Sequence, residues 1–334
     1  MAIDLVTGGN GLLGRALVAS LREAGRVVRV LDLEVHPEPE VQSVVGDVRD
    51  AEAVDRAVRG VDTVFHTVAV VSQNPARRAL LEDVNVGGTR RLLDAARVAG
   101  VPRFVFTSSI DAVFDGTPIV AGDERLPYPT RFLDHYGRTK AEAERLVRAA
   151  NSSSFATVSL RAAGIYGPHD RHRLPVVLAH ARRGGFAVLG DRRARFNHVY
   201  VENVAHAHVL AASSLVPGAA HAGGAYFVTD HPPGNFFDFV EPYLRAAGVT
   251  GAPRVVPAAV AWGLAHLLEG LYAVAGRWIT PDPALTRYAV AATTRDLWFV
   301  SDAARRDFGY VPVVSEHDAR ERTMAWFAAF VAGR

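Results

Sequence analysis

Between the apolar run Ile3–Thr7 and the helical periodicity of Leu12–Ala24 stands the segment Thr7-Gly8-Gly9-Asn10-Gly11-Leu12-Leu13-Gly14. Gly8, Gly11 and Gly14 follow the spacing G-x-x-G-x-x-G. The first glycine permits a tight turn, the second lets the backbone approach a pyrophosphate, and the third lets helix and sheet pack closely. Amides at a helix start, with the helix dipole behind them, attract phosphate. A strand, this loop and a helix in that order are the fingerprint of a dinucleotide site, with Leu12 and Leu13 in the first helical turn beside the phosphates.

The rest of the first half keeps the same beat. Strand-like runs at Val27–Leu31, Thr63–Val71, Phe104–Thr107 and Thr157–Leu160 alternate with helical runs at Asp50–Val58, Val84–Ala99 and Thr139–Ala149. That alternation predicts a doubly wound parallel α/β sheet of Rossmann type, covered on both faces. After about residue 165 the beat loosens, which predicts a smaller, mixed C-terminal lobe for substrate. The expected division is 1–165 for the dinucleotide domain and 166–334 for the lobe, with about 196–230 returning to the first domain. Lys+Arg 37 against Asp+Glu 35 leaves a net charge of +2, too little to draw a polyanion, so no nucleic-acid partner is expected. There is no Cys, which excludes disulfides, thiolate metal sites and a Cys nucleophile and suits a reducing cytoplasm. No signal-peptide pattern follows Met1.

Asp32 closes the second strand 18 residues after Gly14. An acid there accepts hydrogen bonds from the adenosine ribose hydroxyls and repels a 2′-phosphate, which favours NAD over NADP. Asp47, with Val48 beside it, follows a third short strand and is placed to meet the adenine.

Lys140 is the only lysine among the 37 basic residues. Where cations are written almost always as Arg, a retained Lys suggests a need for a compact ammonium. It lies four residues after Tyr136, on the same helical face. A phenol of pKa about 10 is a poor base at neutral pH, and a neighbouring ammonium lowers that value. Tyr136 can then exchange a proton with an alcohol while hydride leaves for a nicotinamide. Thr107-Ser108-Ser109 ends a strand at the same crevice, and a hydroxyl there can align the substrate oxygen.

Together these segments resemble an extended short-chain dehydrogenase/reductase. Leu160-Arg161-Ala162-Ala163-Gly164-Ile165-Tyr166-Gly167-Pro168 and Val199–His208 are similar to later motifs of that superfamily. Ala225–Asp230, Phe236–Phe239, Leu285–Tyr288 and Ala303–Pro312 resemble its 3β-hydroxysteroid dehydrogenase branch, and Ser109-Ile110-Asp111-Ala112-Val113-Phe114-Asp115-Gly116 is most similar to sterol-4α-carboxylate 3-dehydrogenases. The resemblance implies Ser109, Tyr136 and Lys140 as catalytic residues, with Ser108 as the alternative hydroxyl. It implies Thr107, Thr67, Val68 and Ala69 along the cofactor, Asn85 at the helix facing its adenosine, and Ala163 and Ile165 beside its nicotinamide. The implied reaction is NAD-dependent oxidation of the 3β-hydroxyl of a hydrophobic, sterol-like substrate, with a C4 carboxylate lost afterwards from the β-keto acid. Reduction of a 2-alkyl-3-oxoalkanoate is the nearest alternative; a nucleotide-sugar epimerase and a non-catalytic NAD-binding protein are others. Ala162 replaces the usual Pro, and Val68 stands where Ala is more usual.

Arg171 and Arg173, in the loop after Pro168, are candidates to meet a substrate carboxylate. The 13 His do not present a metal-ligand spacing: His206 and His208 are two apart on a helix and do not share a face, so no metal is expected. Ala258–Ala275 is apolar but interrupted by His266 and Glu269. It reads either as a buried helix or dimer contact, or as a helix lying in a membrane interface. A homodimer is expected.

Overall fold

The computed structural model describes residues 2–184, 186–275, 283 and 285–333. Seven strands form one parallel sheet: β1 (Ile3–Thr7), β2 (Val27–Asp32), β3 (Gln42–Val45), β4 (Thr63–His66), β5 (Arg103–Ser109), β6 (Ala156–Ala162) and β7 (Ala225–Val228). Their order is β7-β6-β5-β4-β1-β2-β3, so the winding reverses between β1 and β4. A crevice at the carboxyl ends of strands opens at such a reversal, and the glycine loop lies there. The run Ala225–Val228 is the seventh strand of this sheet, beside Ser159–Ala162.

The strands are apolar on both faces because both faces are covered. Val6, Val30 and Val105 pack with α1 (Leu12–Glu23) and α5 (Val201–Ser213) on one side. Leu5, Val64, Phe104 and Phe106 pack with α2 (Ala51–Val58), α3 (Thr89–Val98) and α4 (His135–Ala150) on the other. Alternate residues pointing to opposite faces is the expected strand period. Asp4 breaks the apolar pattern of β1, but Arg26 clamps its buried carboxylate with two bonds of 2.8 Å.

Two expected elements differ. The strand beginning at Thr63 stops at His66, level with the end of β1 at Thr7, although β5 on its other side runs on to Ser109; residues 67–71 turn over the glycine loop instead. The helix expected from Val84 begins earlier, at Arg78, and passes through a π-helical segment, Glu82–Gly88, before α3. Such segments often mark functional positions. Three two-stranded parallel pairs carry the chain over the sheet edge: Gly164–Tyr166 with His198–Tyr200, Ala187–Leu189 with Arg254–Val256, and Ile119–Gly122 with Leu297–Phe299. Beyond them lie α6 (Ala258–Ala275) and α7 (Arg287–Thr294).

Candidate active site

The loop is shaped by contact rather than by composition. Gly8 sits at φ +74°, where an L side chain is strained, and a Cβ on Gly14 would fall 2.0 Å from the Gly8 carbonyl oxygen. Gly9, not one of the spaced three, is equally constrained: a Cβ there would come within 2.5 Å of Val30. No side chain caps α1, and no acid stands in its first turn. Its leading amides, at Leu12 and Leu13, are thus left for an anion. Asp32 holds the loop: its carboxylate accepts from the amides of Asn10 at 2.9 Å and Leu33 at 2.7 Å. These features fit a dinucleotide pyrophosphate and ribose.

The wall opposite is built by hydrogen bonds. Thr67 donates to the Thr7 carbonyl at 2.7 Å, and Val68 approaches Gly8. Asn85, on the π-helical segment, clamps the Val70 backbone from both sides, at 2.8 and 3.0 Å, and reaches Thr139 of α4 at 3.1 Å. Its side chain therefore shapes the 67–71 segment. Asp47 is taken by Arg49, which also holds its carboxyl below the usual carboxylate range. Val48 is buried against Gly88. Ala163 is buried and Ile165 half-buried where β6 leaves the sheet.

α4 carries the Tyr–Lys pair. Asp134 caps it, accepting from the Gly137 amide at 2.8 Å, so the helix begins a turn before Thr139 and places Tyr136 in its first turn. Its buried face runs Lys140, Ala143, Glu144, Val147, with two charges where the 3.6-residue period calls for apolar side chains. Glu144 is paired with the buried Arg161 of β6 at 2.7 Å and accepts from Tyr128 at 2.5 Å. Burial pushes the Glu144 carboxyl up, but Arg161 outweighs it and the net shift is downward. This pair pins α4 to the sheet.

Among the described residues Lys140 makes no salt bridge. Its ammonium donates to the Thr107 carbonyl at 2.6 Å and sits 4.5 Å over the Phe106 ring. Burial pulls its pKa down to about 8, against Glu144 and Asp111. Tyr136 is pushed above the ordinary phenol range, by burial first and then by Asp111, with Ser109 opposing. The Thr107 hydroxyl is bonded to the buried His208 at 2.7 Å, which accounts for one of the histidines.

Ser109, rather than Ser108, faces the cleft side. It donates to Asp111 at 2.9 Å, while Ser108 lies toward Glu144. Asp111 also accepts from Tyr288 of α7 at 2.7 Å. Burial raises its pKa, and Asp134 nearby is pushed up to about 7 by burial and by Asp111. Asp111 and Tyr288 stand in motifs singled out above without a role. The available signal was an acid inside the apolar run Ile110–Phe114.

Of the two loop arginines, Arg171 is exposed and Arg173 turns inward. Arg173 donates to the Gly164 carbonyl at 3.2 Å and to His198 Nδ1 at 2.8 Å, within electrostatic reach of Asp170 first, then Tyr288 and Asp111. Among the described residues it makes no salt bridge. The buried reading of Ala258–Ala275 does not hold: only Ala261 and Ala265 are buried, and Val260, Leu264, Leu267, Leu271 and Val274 are exposed. Glu269, which interrupts the apolar run, is used inward, against Arg287 of α7. His317, Asp318 and Glu321 cluster on an exposed helix face, an arrangement common on solvated helices.

Comparison with known proteins adds the context. A 3β-hydroxysteroid dehydrogenase/isomerase of Mycobacterium tuberculosis, named with a Δ5→4-isomerase activity, is 38% identical over 97% of this chain and 90% of its own. A 2-alkyl-3-oxoalkanoate reductase of Stenotrophomonas maltophilia is 36% identical over 97% and 99%. A mouse sterol-4-alpha-carboxylate 3-dehydrogenase, decarboxylating, is 34% identical over 96% and 90%. Among solved structures, a Thermus thermophilus UDP-glucose 4-epimerase in complex with NAD superposes with a TM-score of 0.72 at 26% identity, covering 97% of this chain and 98% of that one. The model of the 3-beta hydroxysteroid dehydrogenase/isomerase family matches residues 5–257, and the chain belongs to that family.

Proposed function

We propose that this chain is an NAD-dependent dehydrogenase that oxidises the 3β-hydroxyl of a sterol-like substrate. The observation that carries the reading is the meeting of Tyr136, Ser109 and Lys140 at the carboxyl edge of the sheet, beside the uncapped start of α1. Gly8–Gly14 and Asp32 would hold the pyrophosphate and ribose, and bound NAD supplies the hydride acceptor. Tyr136 exchanges the proton of the substrate oxygen, and Ser109 orients that oxygen. Taking up that proton needs the phenolate, which is favoured while Lys140 keeps its charge and the acids beneath it are neutral.

The preferred substrate carries a carboxylate next to the reacting carbon. Arg173 supports this: a half-buried guanidinium bonded to a carbonyl and a neutral imidazole, with Asp170 and Asp111 near but in no salt bridge with it, can still take a substrate anion. Oxidising C3 of a 4-carboxysterol gives a β-keto acid, whose new carbonyl accepts the electron pair as carbon dioxide leaves. The test is to incubate the protein with NAD+ and a 4α-carboxysterol and follow NADH together with sterol products. NADH with a 3-ketone one carbon shorter supports the reading. No turnover of any sterol, alongside brisk reduction of a 2-alkyl-3-oxoalkanoate, would hand the site to the β-keto acid reaction instead.

A lipid-soluble substrate also gives α6 a use. The helix has a mean hydropathy of 1.4, its outer face carries Val260, Leu264, Leu267, Leu271 and Val274, and its inner face is tied through Glu269 and Arg287 to the helix that carries Tyr288. We assign that face to a lipid surface. Flotation with phospholipid vesicles should recover the protein, and Leu264→Glu with Leu267→Glu should release it; equal recovery of both would reject the assignment.

A further inference from the structure

We infer that Asp111, fastened by Tyr288, is a positioning residue that sets the hydrogen-bonding polarity of Ser109, and so decides whether the site receives an alcohol or a ketone. The inference rests on the dehydrogenase reading and deepens it. A serine hydroxyl has one proton and two lone pairs. Here the proton is given to Asp111 Oδ2 at 2.9 Å, and one lone pair accepts the Asp111 amide at 3.2 Å. What remains is one lone pair, on the side of the Tyr136 hydroxyl with which Ser109 also interacts, and a ligand shares or displaces that contact. With Asp111 ionised, Ser109 can therefore accept from a substrate hydroxyl as it binds, before that single proton turns to Tyr136, but cannot donate to a carbonyl. When Asp111 takes a proton from solvent, the carboxylic acid becomes the donor and the serine proton is freed toward the cleft. Ser109 then donates to a ketone oxygen. Tyr288 bonds the other carboxylate oxygen at 2.7 Å from α7, which fixes the orientation of the acid across the cleft. Gly137 belongs to the same device: a Cβ there would stand 2.8 Å from the Asp111 carbonyl, so α4 can approach the Ile110–Val113 turn only with glycine at that position.

Burial of Asp111 favours its neutral form and brings the switch toward the working range. Other charged or titratable groups face it. α4 contributes Tyr136, Lys140 and, at its cap, Asp134; α7 contributes Tyr288; the 169–173 loop contributes Arg173. Glu269 and Arg287 act on Asp134 in turn. Any of these can add a slope to a pH profile, so the test must remove Asp111 alone.

Dead-end ternary complexes avoid turnover: a 3-ketosteroid with NAD+, and a 3β-hydroxysteroid with NADH. In the wild type, ketone affinity should fall by up to about tenfold per pH unit as Asp111 ionises, and alcohol affinity should not follow it. Asp111→Asn carries an amide that donates to Ser109 permanently, so its ketone affinity should stay at the low-pH level across the range. Tyr288→Phe removes a bond that stabilises the carboxylate and should move the transition to higher pH. A wild-type slope retained in Asp111→Asn would assign the effect to Asp134 or Lys140 and overturn the inference. A second measurement needs no steroid. In the free protein, one component of the protonated-carboxyl infrared band should grow as pH falls, be lost in Asp111→Asn while the component of Asp134 remains, and shift in Ser109→Ala. If no steroid binds the wild type, the functional reading fails, while the infrared band still decides the inference: an Asp111 component that Ser109→Ala leaves unmoved would overturn it.

Discussion

The two walls of the cleft are made differently. The wall expected to hold cofactor comes from β1, β2, β4 and the start of α1, and its polar groups are largely satisfied by nearby backbone. Asp32 holds Asn10 and Leu33, Thr67 holds Thr7, and Asn85 clamps Val70. The opposite wall gathers Ser109 and Asp111, Arg173 and Tyr288 from three distant segments. It contains a raised carboxyl and a cation without a salt bridge. Uncompensated buried charge costs stability unless a ligand completes it. Under the proposed function, the first wall carries generic dinucleotide recognition and the second carries substrate choice and pH sensitivity.

The largest expected effect falls between the walls. Tyr136→Phe should lower turnover by about 10²–10⁴-fold, the usual worth of a positioned acid–base group, while NAD titration shows cofactor binding intact. A near-normal rate would put the proton-transfer group on another side chain. On the substrate wall, Arg173→Gln should reduce kcat/KM for a 4-carboxysterol by roughly 10–100-fold, the worth of a charge-assisted hydrogen bond. The same variant should leave a sterol without that carboxylate nearly unaffected; equal losses for both would make Arg173 a packing residue.

On the cofactor wall, Asp32→Ala should reduce the preference for NAD over NADP by about tenfold, measured by titrating both cofactors. Its effect should be independent of the substrate, and a change in sterol selectivity would blur the contrast.

The smallest effect is on stability. Burial holds Lys140 at about 8 against an ordinary 10.5. Between those values the unfolded chain binds more protons than the folded one, so stability should rise with pH, by at most about 1.4 kcal/mol per unit. Below about 8 both states are protonated and the slope from this group vanishes. Denaturant unfolding of wild type and Lys140→Met from pH 7 to 10.5 should differ by this slope, and parallel profiles would mean the ammonium is not held as buried as its contacts indicate.

The same division governs what could be read before folding. The glycine spacing, Asp32 and the Tyr136–Lys140 pair are local patterns, set by turn geometry and the helical period, and they stood in the sequence in the order the structure uses them. Even there, Gly9 escaped notice because its constraint is Val30 on the next strand. The Thr63–Val71 run looked uniformly strand-like because apolar composition does not tell where a partner strand ends. For α6 both a buried and an interfacial reading stood open, because hydropathy carries no record of whether another element covers a helix.

What the sequence determined by itself is the parallel sheet, the dinucleotide loop and the helix that pairs a phenol with the chain's lone lysine, because each depends on residues within a few turns of one another. Tertiary structure alone decided that Arg173 rather than Arg171 turns inward, and that Asp111 meets Tyr288 across 177 residues. Those are contacts between distant segments, and their energies depend on burial and distance, which no local pattern encodes.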